Sequence, residues 1–164
     1  MTFPFQIQAQ NDDEAFMLQA LKEAWKAFQA DETPVGSVLV HENSIIARGY
    51  NQVEMLKDAT AHAEMICLTS GSNALNNWRL KNTTLYTTLE PCAMCAGAMI
   101  LSRIKRIVWA APDIRQGANG SWVNLLEAEH PIHSIDITRH ILEIPASTLM
   151  KKFFKKQRDK KGKA

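Results

Sequence analysis

Cys92 and Cys95 lie three residues apart in EPCAMCAGAM, residues 90–99. On a helix that spacing puts both sulfurs on one face, where they can share a single ion. An opening helical turn also favours thiolates, because its N–H groups are unpaired and its end is positive. A zinc site that performs hydrolysis needs three protein ligands and a fourth position left for water. The third ligand is expected to be a histidine at another helix start. Of His41, His62, His130, His133 and His140, only His62 has a carboxylate two residues on and an apolar helix beyond, in TAHAEM. The other four fall in a hairpin turn or in polar stretches and read as surface.

Taken alone, His62 is as readily a core residue as a ligand. Glu64 changes the balance, because a carboxylate in an apolar segment is costly to bury without work or a partner. Beside a water on the metal it can accept a proton and pass it to a substrate. Two rivals stay open on the residues alone. Cys92 and Cys95 could form a redox pair, which leaves His62 and Glu64 without roles. A structural zinc would want a fourth Cys or His; Cys67, five residues after His62, falls off its face and is assigned to the core.

These groups need helix starts and strands to hold them. Residues 12–29 read as an amphipathic helix with an apolar stripe of Met17, Leu21, Ala24 and Phe28 and an acidic start. Strands are expected at 36–40 and 45–50, joined by the polar turn 41–44 into a hairpin. A second helix should run over 61–69 and stop near Ser70–Gly71. A strand at 83–89 leads to Pro91, which suits the first turn of a helix continuing to Leu101. Strands at 106–110 and 134–138 and a helix at 147–156, fraying beyond, complete the order. That order predicts an α/β fold in which a mixed sheet is covered by helices.

The 164 residues suit one domain spanning 1–164. With no long uncharged apolar run and no basic lead before one, neither a membrane span nor a signal peptide is expected, and the protein is expected to be cytoplasmic. Of 19 basic and 17 acidic residues, eight basic and one acidic fall in the tail 151–164. A mildly acidic body thus ends in a basic segment suited to a nucleic-acid backbone, or to solvent.

His62–Ala63–Glu64 with Pro91–Cys92–Ala93–Met94–Cys95 resembles the H-x-E…P-C-x-x-C pattern of zinc nucleobase deaminases. The likeness extends through PVGSVLV (34–40), GYNQ (49–52), DATAHAEM (58–65), residues 85–113 and GANGS (117–121), and is to the bacterial tRNA-specific adenosine deaminases. It implies a three-layer α/β/α cytidine-deaminase-like fold with a central five-stranded mixed sheet. It also implies a homodimer with one Zn2+ per subunit that converts the wobble adenosine of a tRNA anticodon to inosine. By the same resemblance, His62, Cys92 and Cys95 bind zinc and Glu64 shuttles protons. Asn51 and the Ala63 backbone amide contact the target nucleoside, Asp113 lies beside the ribose, and Phe153 and Phe154 belong to a helix against the anticodon loop. On residues alone, both phenylalanines read equally as core.

Tyr50 stands where the family often has tryptophan, and Pro112 where an arginine commonly precedes the aspartate. Met94, Met99, Trp109 and Trp122 fit either an interface or a core. Two other functions compete: a deaminase of free bases or nucleosides such as guanine or cytidine, and a non-catalytic RNA-binding protein with structural zinc.

Overall fold

The computed structural model describes residues 2–162. Its centre is a five-stranded sheet of order β2-β1-β3-β4-β5. β1 (Gly36–His41) and β2 (Ser44–Tyr50) form the expected hairpin. Glu42 and Asn43 both take positive φ, as a two-residue turn between twisted antiparallel strands requires. β3 (Thr83–Leu89) runs antiparallel to β1 and parallel to β4 (Arg106–Ala111), which is parallel to β5 (Asp136–Thr138). The mixed sheet is therefore as expected, with β5 shorter than 134–138.

Alternate residues of the central strands feed two cores. Val38, Tyr86, Val108 and Ala110 pack with Met17, Ala20 and Leu21 of α1 (Asp12–Gln29) and Ala146 of the last helix. Leu39, Leu85, Ile107 and Trp109 pack on the other face. There they meet Cys67 and Leu68 of one helix and Cys95, Ala96, Met99 and Ile100 of the next. With both faces covered, β1 and β4 carry apolar runs and β3, TTLYTTL, is built of strand-favouring Thr, Leu and Tyr, and the result is a three-layer arrangement. Met99 and Trp109 are core residues, whereas Trp122 is exposed.

Several boundaries differ from the sequence reading. A short helix, α2 (Val53–Leu56), was not expected. α3 (Ala63–Ala74) passes through Gly71 instead of stopping there, because the bare glycine backbone lies against Leu39. α4 (Ala93–Leu101) is capped by Cys92, so Pro91 precedes the cap and is not in the first turn. α5 (Glu143–Lys161) starts four residues early and stays helical beyond 156. Residues 163–164 of the basic tail lie outside the described residues, as does Met1. In α1, Ala27 is buried while Phe28 is half-buried, stacked on Trp25.

Among the described residues, two ion pairs tie α1 to the sheet: Glu23 meets Arg48 of β2 at 3.4 Å, and Asp13 meets Arg106 of β4. Arg106 meets Asp13 through two bonds of 2.9 and 2.6 Å, and the Tyr86 hydroxyl donates to the same carboxylate at 2.8 Å. Burial pushes the Asp13 carboxyl up, but the Arg106 and Tyr86 bonds outweigh it and leave the group below its ordinary value. A depressed carboxyl stabilises the fold above its unfolded pKa and loses that contribution as pH falls through the folded one. Asp13→Asn is expected to cost about 1–2 kcal/mol at pH 7, with the difference from the parent shrinking below about pH 4. Urea unfolding across pH checks this; a pH-independent difference would assign the loss to packing. Among the described residues, no helix is long and apolar enough to cross a membrane.

Candidate metal centre and pocket

Two helix starts meet at the carboxyl ends of the strands. His62 caps α3 and Cys92 caps α4, both in extended backbone, and Cys95 follows in the first turn of α4. Gly49 of β2 lets α3 begin here, because a Cβ at that position would lie 2.4 Å from the Ala63 carbonyl oxygen. His62 Nδ1 is 3.6 Å from Cys92 Sγ and 3.6 Å from Cys95 Sγ. Ligand bonds of roughly 2.0–2.1 Å to nitrogen and 2.3 Å to sulfur at a tetrahedral angle require an N···S separation of about 3.6 Å. Both N···S separations therefore fit zinc, and all three donors lie within 4.8 Å of one another.

The three donors also share protons closely with one another. The bond to Cys95 chiefly holds the Cys92 thiol down to about 4, with His62 adding to it against the opposing effect of burial. The same bond and burial push Cys95 up. The bond to Cys92 raises His62 above its ordinary value against the effect of burial. Glu64 is 3% exposed and is pushed up, foremost by burial. Cys67 is fully buried and burial pushes its thiol up, in keeping with an inert core position. All three cysteines are unpaired thiols.

A cavity of about 210 Å³ opens beside these groups. Its lining includes His62, Glu64, Cys92, Asn51 and Asp113. Of the residues expected at the site, these five come together there, and Ala63 is buried at the start of α3 between two of them. The phenylalanines divide. Phe153 is buried, its ring 6.2 Å from that of Phe28, whereas Phe154 is 40% exposed. Phe154 lines a hollow that shares Thr33, Leu89, Asp113 and Gln116 with the cavity and also includes Pro112.

Two carboxylates at this site were not singled out in the sequence. Glu32, 1% exposed, accepts from Asn51 Nδ2 at 3.0 Å and from the amides of Met55 at 2.7 Å and Glu54 at 3.3 Å. It thereby fixes the Asn51 side chain and seats α2 at the cavity wall. Its surroundings, ADETPVG, read as a loop and gave no signal. Glu90 is equally buried, but in TTLEPC two threonines and a proline surround it, so no apolar run marked it as one marked Glu64.

Residues 10–111 match the model of the cytidine and deoxycytidylate deaminase zinc-binding region. The chain belongs to this deaminase family. A tRNA-specific adenosine deaminase of Bacillus subtilis (strain 168) is 43% identical over 91% of this chain and 92% of its own. A chloroplastic tRNA(adenine(34)) deaminase of Arabidopsis thaliana is 51% identical over 87% of this chain, which spans only 12% of that larger relative. Among solved structures, a protein from a study of A-to-I editing by tRNA:A34 deaminases superimposes with a TM-score of 0.79. It shares 38% identity, covering 82% of this chain and 98% of its own. A guanine deaminase of Nitrosomonas europaea is more distant, with a TM-score of 0.74 and 26% identity over 92% of this chain and 87% of its own. The deaminase family thus includes relatives named for tRNA and for a free base.

Proposed function

We propose that this chain is a zinc-dependent hydrolase that converts adenosine to inosine at the wobble position of a tRNA anticodon, releasing ammonia. A relative matched over nearly its whole length is named a tRNA-specific adenosine deaminase, and a similar solved structure comes from a study of tRNA:A34 deaminases at the wobble position. The observation that carries the reading here is the His62–Cys92–Cys95 cluster with Glu64 beside it at the end of a small pocket. Its volume is below the roughly 300–1,000 Å³ typical of sites that enclose a drug-sized ligand, so it suits one base with the rest of the substrate outside. An anticodon loop offers bases that can be splayed from their stack at little cost.

His62, Cys92 and Cys95 would hold the zinc, which when bound lowers the pKa of water in its open position from about 15.7 toward 7. Glu64 takes a proton from the attacking water as oxygen bonds to C6 of adenine, and delivers a proton to N1. A second transfer through Glu64 carries the proton of the new C6 hydroxyl to the amino group, and the C6–N bond breaks to leave the C6 carbonyl of inosine and ammonia. Burial and the raised pKa of Glu64 suit a group that must both accept and return a proton. Asn51, held by Glu32, and the Ala63 amide orient the purine, while Asp113 takes the ribose side.

Phe154 and the basic face of α5 are assigned to the anticodon loop, with Phe153 supporting them from the core. Lys156 and Lys160 bond Asp31 at 3.0 and 2.6 Å and pin this helix to the end of α1. These bonds, Lys160 foremost, hold the Asp31 carboxyl down to about 2. The exposed Lys151, Lys152, Lys155 and Arg158 are then available to phosphates. Removing residues 157–164 is expected to weaken tRNA binding about tenfold and to lower the salt-dependence slope by roughly 2–3. Filter binding across a salt series checks this; unchanged slopes would show the tail to be idle. We further assign the protein to the cytoplasm as a homodimer, testable by fractionation and sedimentation.

Incubation with tRNA, free guanine, cytidine and adenosine, followed by nucleoside analysis, tests the activity. Inosine in tRNA is the expected product. Ammonia from guanine or cytidine alone would select a free-base or nucleoside enzyme, and no ammonia from any substrate would favour an RNA-binding role.

A further inference from the structure

Glu90 lies between the end of β3 and Pro91, 1% exposed, and its oxygens accept four hydrogen bonds from one loop. The amides of Asn119 at 2.8 Å and Ser121 at 3.2 Å donate to Oε1. The amide of Asp113 at 3.1 Å and the Ser121 hydroxyl donate to Oε2. Every one of these partners is a donor, so both oxygens serve only as acceptors. Nearby, the Ala118 amide bonds the Pro91 carbonyl at 2.8 Å, and Gly117 pairs with Cys92 in a short antiparallel bridge. A Cβ at Gly117 would lie 2.4 Å from the Glu90 carboxyl carbon, which is why the loop needs glycine where it crosses the carboxylate.

The loop 113–121 is thus laid against the turn that carries Cys92, and two of its residues, Asp113 and Gln116, line the pocket. Contacts across 23 to 31 residues of sequence converge on one side chain. We infer that Glu90 is a positioning residue: its buried carboxylate is the fixed point that holds the 113–121 loop and so places Asp113 and Gln116 at the pocket mouth. The catalytic consequence rests on the proposed deaminase activity; the structural one does not.

Glu90→Gln tests the inference. Glutamine keeps the shape but replaces one acceptor oxygen with an amide donor, leaving at least one buried loop donor facing another donor. Zinc content and cooperative unfolding should be retained, while amide exchange at Asn119 and Ser121 should speed up about tenfold or more. KM for tRNA should rise roughly 30- to 100-fold with kcat little changed, because a displaced loop loosens substrate placement. A merely structural role would lower the active fraction, reducing apparent kcat at constant KM. That result, or unchanged exchange, would overturn the inference, as would loss of zinc before any change in the loop.

Should the glutamine variant fail to fold, Ser121→Ala removes one hydroxyl bond at an exposed position. It should speed exchange at Asn119 and raise KM by about threefold; neither effect would mean that the Glu90 bonds do not hold the loop. If the parent protein makes no inosine, the functional reading fails, and the exchange measurement alone decides the role of Glu90.

Discussion

Glu64→Gln is expected to keep one zinc per chain and to lose roughly 10²- to 10⁴-fold in inosine formation, the range associated with a positioned acid–base group. Glu64 lies two residues from His62 and is 3% exposed at the pocket, yet is outside the three-donor cluster. Glutamine has nearly the same shape and disturbs neither helix start, but it cannot take the water proton and return it. Metal analysis and nucleoside analysis on the same preparation separate the two effects. Near-parental product from the metal-loaded variant would remove Glu64 from the proton path.

The second large effect is expected at Cys92. Cys92→Ala should abolish zinc binding at concentrations that saturate the parent, reduce inosine below detection and lower the melting temperature. Cys92 caps α4, and the neighbouring Pro91 carbonyl accepts the Ala118 amide, so the ligand sits at a junction of helix, loop and sheet. Ligand geometry and folding are coupled in such a place, and the loss of one thiolate removes metal-linked stability together with chemistry. An unchanged zinc stoichiometry would contradict the assignment. The bond to Cys95 holds the Cys92 thiol below its ordinary value, in keeping with a metal ligand.

The sheet was legible because β1 and β4 carry apolar runs and β3 is rich in Thr, Leu and Tyr, both of which local composition reveals. α2 was not legible. Its four residues are too few to form a helix unaided, and the Glu54 and Met55 amides are held by the distant Glu32. Gly71 looked like a stop and Pro145 concealed the start of α5, although proline fits a first helical turn. The close fit of Gly71 against Leu39 is a tertiary contact that no local pattern shows.

At the site, His62, Glu64, Cys92 and Cys95 were legible because each pair lies within one helical turn and bears chemistry in its side chains. Glu32 and Glu90 act through partners 19 to 31 residues away, and spacing carries no trace of such contacts. Phe153 and Phe154 are adjacent on one helix, about 100° apart around its axis, so their separate fates depend on what α5 packs against. The ring of Phe28 covers one and leaves the other at the pocket's edge.

X-ray absorption at the zinc edge of the purified protein separates an open three-ligand site from a closed structural one. Two sulfur neighbours at about 2.3 Å, one imidazole nitrogen at about 2.0 Å and one exchangeable oxygen are expected. A spectrum with four protein ligands, or one from which His62→Ala removes no nitrogen, would contradict the open site.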